Sequence, residues 1–87
     1  MVYVDSARNA YGRMVMCHML ADTPAELHAM ADLIGVARKW FQSKASFPHY
    51  DICKAKRSLA VSFGAVEVDR RRLVEIMRDI RKTGSYV

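Results

Sequence analysis

Cysteine is scarce in this chain: Cys17 and Cys53 are the two present. At most one disulfide can form, and neither residue belongs to a CxxC pair or to a zinc-type spacing with the histidines, so two reduced, semi-buried thiols are expected. No apolar run approaches the ~18 residues needed to span a bilayer. The leading Met1-Val2-Tyr3-Val4-Asp5 lacks the basic and apolar regions of a signal peptide, and a cytoplasmic location without membrane contact is the expectation. Glycine is sparse as well. Gly12, Gly35, Gly64 and Gly84 stand alone, which excludes a glycine-rich phosphate cradle. A GxSxG nucleophile elbow and a contiguous HExxH metal signature are missing, and neither cysteine lies in a nucleophile motif. A metal site here must therefore be assembled from residues distant in sequence. With no repeat, low-complexity tract or interdomain linker, residues 1–87 are expected to form one domain.

What the chain does have is apolar mass and positive charge. Hydrophobic residues make up 52% of the 87, six of them methionine. A chain this size buries only roughly 60–65% of its unfolded surface. So much apolar side chain, with adaptable methionines, argues for self-association into a homo-oligomer. The formal net charge of +5 admits an anionic partner.

Val2-Tyr3-Val4 is a β-prone run closing on Asp5, which places that carboxylate at a strand's C-terminal edge, where open α/β sheets bind ligands. Residues 6–12 read as a loop, and residues 13–20 as a second strand, too short for a helix between Gly12 and the helix start at Thr23. Alternation puts Met14, Met16, His18 and Leu20 on one face, so His18 is either a core-edge histidine satisfied locally or part of a site. Thr23-Pro24-Ala25-Glu26 is a capping box with proline at the first helical position. Leu27, Met30, Ala31 and Ile34 form the apolar stripe of that helix, and Gly35 offers its left-handed cap. His28 falls off the stripe and reads as solvated. Residues 38–42 read as a third strand or an irregular segment, and 43–48 as a loop. Pro48 disfavours the helical conformation at Phe47, so the chain should reach His49 extended. Asp51 is placed to cap a helix over 52–63 with Ile52, Ala55, Leu59, Ala60 and Phe63 buried, and Gly64 ends it. Residues 65–68 read as a strand. Asp69 caps a last helix with the stripe Leu73, Ile76, Met77 and Ile80, before a frayed tail at 83–87. The order β-β-α-β-α-β-α predicts a small α/β layer of helices on a short mixed sheet.

Polar chemistry concentrates at His49-Tyr50-Asp51, with Lys54, Lys56 and Arg57 inside the same nine residues. On the predicted helix Lys54 and Ser58 follow Asp51 at steps of three and four, with Arg57 beside them. His18 and Asp22 form a second polar pair upstream. Three readings are open. In the first, Asp51 only caps, Tyr50 packs and His49 bonds the backbone. In the second, the helix-start N–H groups with Lys54, Arg57 and His49 hold a small anionic or nucleotide-like ligand, although Asp51 competes for the same donors. In the third, His18, His49, Asp5 and Asp51 converge as two imidazoles and two carboxylates, a set suited to Mn, Fe or Zn and to activating water for phosphoester hydrolysis. A shared metal requires the two imidazoles to lie within about 5 Å of one another. The expected ligand-binding set is thus His49, Tyr50, Asp51, Arg57, Lys54, His18 and Asp5, with a metal-dependent hydrolase as the alternative on the same residues. A separate class is a nucleic-acid or protein interaction module on the last helix, where Arg70, Arg71, Arg72, Arg78, Arg81 and Lys82 are offset by interleaved Glu67, Asp69, Glu75 and Asp79. That helix has no aromatic residue on which bases would stack.

Taken together, these segments resemble a bacterial and phage family known as domain of unknown function 4031. The resemblance rests on Val2-Tyr3-Val4-Asp5, on His18-Met19-Leu20-Ala21-Asp22 with Thr23 and Glu26-Leu27-His28, and on His49-Tyr50-Asp51. It continues through Lys56-Arg57-Ser58-Leu59-Ala60-Val61 and Gly64-Ala65-Val66-Glu67-Val68. Cys17 departs from the pattern, standing where tryptophan is usual, which puts in doubt any stacking role at that position. The family carries no assigned reaction. The resemblance implies a shared polar set, Asp5, His18, Asp22, His49, Tyr50, Asp51 and Arg57, and fits a small accessory or host-modulating protein of a phage.

Overall fold

Strand-forming runs with apolar residues at both parities leave a sheet that must be covered on two sides. The computed structural model, which describes residues 1–6, 9–11, 14–43 and 47–83, has that arrangement. In chain order it contains β1 (Val2–Val4), β2 (Asn9–Tyr11), β3 (Met14–Ala21), α1 (Pro24–Ile34), a 3₁₀ turn (Arg38–Trp40) and β4 (Phe41–Gln42). β5 (His49–Cys53), α2 (Lys54–Ser62), β6 (Val66–Glu67) and α3 (Arg70–Thr83) follow. The strands form one mixed sheet in the order β4-β5-β3-β1-β6, with β2 also on β3. β1 and β6 run parallel and the other pairs antiparallel.

Met16 lies opposite both Cys53 of β5 and Asn9 of β2, so β2 shares with β1 the edge of β3 away from β5. β1 covers that edge at Met19 to Ala21 and β2 covers it at Met14 to Met16. Asp5 sits at the break between them, its N–H donating to the His18 carbonyl at 3.1 Å.

One face of the sheet, carrying Val4, Met19, Tyr50 and Ile52, packs on Leu27 and Ile34 of α1 and Ala60 of α2. The other face, through Tyr3 and Leu20, packs on Leu73, Ile76 and Ile80 of α3. Two covered faces account for a large apolar fraction in a short chain. α1 begins as its capping box requires: the Thr23 hydroxyl accepts from the Glu26 N–H at 3.3 Å and donates to Glu26 Oε1 at 3.1 Å. It ends at Gly35, φ +76°, after which the Val36 N–H reaches the Ala31 carbonyl at 2.8 Å. Lys56 of α2 donates to the last α1 carbonyl, Ile34, at 2.7 Å and ties the two helices together.

The α/β class, the mixed sheet and the three helices are as the sequence predicts, with two further strands. The predicted loop over 6–12 contains β2, whose Asn and Ala have little strand preference and take that form by pairing with β3. Of residues 38–42, Arg38–Trp40 form a 3₁₀ turn and only Phe41–Gln42 a strand. The larger correction is at Asp51, which caps no helix: it lies inside β5, and α2 starts at Lys54 behind Cys53. Lys54 and Ser58 therefore do not stack beneath Asp51. Of the expected buried side of α2, Ala60 is buried whereas Leu59 and Phe63 are exposed. Positions 7, 8, 12 and 13, the loop positions 44–46 and the tail beyond Thr83 lie outside the described residues. Among the described residues no helix is long and apolar enough to cross a membrane.

Candidate metal centre

Alternation along β5 sorts its side chains: Tyr50 and Ile52 enter the α1/α2 face, so His49 and Asp51 emerge on the α3 face. β3 does the same, with Met19 on one face and His18 on the other. Register then aligns the site, because His18 pairs with Asp51 across β3 and β5 and with Asp5 across the end of β1. Asp5, His18 and Asp51 thus form a row across three strands, and His49 joins it from two residues upstream on β5.

Each imidazole is held from behind. Asp5, a buried carboxylate with 4% exposure, accepts from the His18 N–H through Oδ1 at 2.8 Å and meets His18 Nδ1 through Oδ2 at 2.7 Å. His49 Nδ1 meets the Phe47 carbonyl at 2.8 Å. A carbonyl oxygen only accepts, so Nδ1 of His49 carries the proton, and in the neutral ring Nε2 is a bare lone pair. Asp5 selects the same tautomer for His18. Both Nε2 atoms face one oxygen: Asp51 Oδ1 is 3.2 Å from that of His49 and 3.7 Å from that of His18. The two rings are 5.0 Å apart, edge to face, which meets the distance a shared ion demands. Lone pairs and a carboxylate crowded this closely repel one another unless a cation lies among them.

A proton or a metal ion would relieve that repulsion. The hydrogen bond to Asp5 pushes the His18 pKa above its usual 6.5, opposed by burial and helped by the charges of Asp5 and Asp51. For a metal, one ligand atom from each of His18, His49 and Asp51 lies within 4.8 Å of the others. Bonds of about 2.0–2.2 Å put neighbouring ligands roughly 3.0–3.5 Å apart, so small side-chain adjustments would bring all three atoms onto one ion. An imidazole whose second nitrogen is tied to a carboxylate or carbonyl is the usual support of a metal-ligating histidine.

The matched segments behind the resemblance include every one of these polar residues. A family model described as protein of unknown function (DUF4031) matches residues 2–80. The chain belongs to the DUF4031 family. No curated protein and no solved structure matches it.

For this DUF4031 chain, the residues picked from sequence divide into those the fold gathers and those it does not. His18, His49 and Asp51 converge, and Asp5 stands one step behind His18. Arg57 reaches the same corner from α2, donating through Nε to the Asp5 carbonyl at 2.7 Å and through a terminal nitrogen to Glu67 at 2.9 Å. Lys54 is exposed at the first position of α2. Asp22 lies at the other end of β1, where it accepts from the Tyr3 hydroxyl at 3.0 Å. Tyr50 points to the opposite face, fully buried, with its hydroxyl 2.7 Å from His28 Nδ1. His28 is accordingly a partnered residue packed on Phe41, not the solvated one expected. His49 does bond the backbone, as the first of the three readings has it, but a backbone acceptor has no residue-type signal to mark Phe47 as the one, and Glu67, which reads as an ordinary surface charge, was not foreseen.

Proposed function

We propose that His18, His49 and Asp51 form a mononuclear divalent-metal centre that activates water for hydrolysis of a phosphoester. The observation that supports this most is the direction of the two imidazoles: both are anchored through Nδ1, and both aim Nε2 at the Asp51 carboxylate. Three protein ligands leave coordination positions open for water and substrate, as hydrolytic sites require. An ion held there would lower the pKa of its bound water to about 7. His18, His49 and Asp51 would hold the ion, which would supply the activated water for attack on phosphorus; the P–O bond to the leaving group would break and the departing oxygen would take up a proton, one water being consumed per ester.

An anion held by the protein alone is disfavoured here. It would face the Asp51 carboxylate and two lone pairs, and Asp51 is not at a helix start where N–H groups would compensate. With a divalent ion in place, two neutral imidazoles and one carboxylate leave the centre with net positive charge, and a phosphoryl oxygen becomes a natural further ligand.

The test is elemental analysis of purified protein reconstituted separately with Zn, Mn and Fe(II). One equivalent is expected, lost in His18→Ala, in His49→Ala and in Asp51→Asn, together with metal-dependent hydrolysis of an activated phosphodiester. Absence of bound metal after reconstitution would overturn the reading.

A further inference from the structure

We propose that the outer face of α3 is a track for the phosphate backbone of a nucleic acid strand, leading to the metal centre. The inference rests on the hydrolase reading for its end point. Val74, Met77, Arg78, Arg81 and Lys82 line an open groove of about 410 Å³. All three charged residues that line it are cations. The acidic residues of the helix lie on the adjoining stripe, where Glu75 faces Arg72 at 3.5 Å and Asp79 follows it by one turn.

The cations continue beyond the groove. Arg71, Val74, Arg78 and Arg81 follow at steps of three, four and three and so share one stripe, about 15 Å long at 1.5 Å rise per residue. A single phosphate needs no such length. Successive phosphates of one strand, about 3.4 Å apart along a duplex axis, use it fully. Three of the four cations on this stripe and in the groove are arginines, whose planar guanidinium suits phosphate better than a point charge does. Val74, 47% exposed in the middle of the row, gives an apolar floor for sugar edges. Contacts to phosphate alone carry no sequence information, so binding should be indifferent to base identity.

The groove also has a direction. At its C-terminal end the Arg81 guanidinium lies over the Phe47 ring, 5.8 Å from its centre, and the carbonyl of Phe47 is the one that orients His49. A strand seated along α3 is thereby delivered next to the metal ligands.

The experiment measures fluorescence anisotropy of labelled single-stranded DNA and RNA oligonucleotides with the full chain, in EDTA, as salt is raised. Wild type is expected to bind with affinity that falls linearly in log salt. Arg78→Glu with Lys82→Glu should weaken binding about tenfold or more and reduce the slope by about 1.4, two contacts at roughly 0.7 each. Arg78→Gln with Lys82→Gln, which keeps helix propensity, should show a smaller loss in the same direction. Metal content should be unchanged in both, while His49→Ala should lose metal and keep strand affinity. No binding by wild type at low salt, double variants that bind like wild type, or competition by a mononucleotide or polyglutamate as effective as by the oligonucleotide would overturn the track. Failure of the metal reading would appear separately, as absence of metal in protein whose anisotropy is intact.

Discussion

His18 is held by the Asp5 carboxylate at two points, one on the backbone N–H and one on the ring. The backbone N–H can only donate, so in Asp5→Asn the amide oxygen must take that bond, and the amide NH₂ is left facing Nδ1. Nδ1 then becomes an acceptor and the ring proton moves to Nε2, which removes the lone pair aimed at Asp51. Asp5→Asn is therefore expected to lower metal affinity about 10–100-fold, the usual effect of losing such a support. Titration calorimetry with Zn or Mn checks this, and NMR of the imidazole nitrogens reads the tautomer directly; unchanged affinity would remove Asp5 from the site. Residue types at the site were legible in the sequence, since Asp5, His18, His49 and Asp51 are unusual among apolar neighbours. Direction was not. Tyr50 sits between His49 and Asp51 in sequence and is separated from them by the thickness of the sheet, because adjacent strand residues face opposite ways.

Element by element, legibility followed the locality of the signal. α1 and α3 carry caps and apolar stripes that depend only on nearby residues, and both appear where the sequence places them. Thr23→Ala should cost about 0.5–2 kcal/mol, since it leaves the Glu26 N–H without its acceptor. Urea denaturation measures that loss, and metal stoichiometry should not change, because the Thr23 hydroxyl bonds Glu26 at the head of α1 and not His18, His49 or Asp51. The β5–α2 junction was misread for the converse reason. An aspartate before Ile52 and a basic segment looks like a helix cap, yet the alternation of buried Tyr50 and Ile52 with half-buried His49, Asp51 and Cys53 is a strand's, and four register pairs with β3 hold it there. That pairing is made with residues some thirty positions away and leaves no local trace. It also creates the site: were Asp51 a cap, its carboxylate would be spent on α2 N–H groups instead of facing His18 and His49.

For the molecule as a whole, the site joins neighbouring parts of the sheet, His18 on β3 and His49 with Asp51 on β5, in a chain with little stability to spare. An ion bound only by the folded form should stabilise it by about 2.7 kcal/mol when free metal is 100 times its Kd. For a domain of this length that is a rise in Tm on the order of 10–20 °C, reversed by chelation. The pH dependence should have opposite signs with and without metal. In the metal-free protein Asp5 raises the His18 pKa above 6.5. The stability gained from that pairing is therefore complete below about pH 6.5 and is lost as pH climbs through the raised native value. Metal needs the deprotonated ring, so its contribution is small at the acid end and grows through the same interval. Thermal melts of one preparation, with EDTA and with Zn or Mn, at steps from pH 5.5 to 8.5, should show the difference between the two curves widening as pH rises. In His18→Ala the chelated protein should lose its part of the slope and the metal-dependent rise should vanish. A metal-induced rise in Tm that is constant across that range, or that persists in His18→Ala, would mean that the ion binds elsewhere and that His18 and Asp5 are a pair of the fold alone.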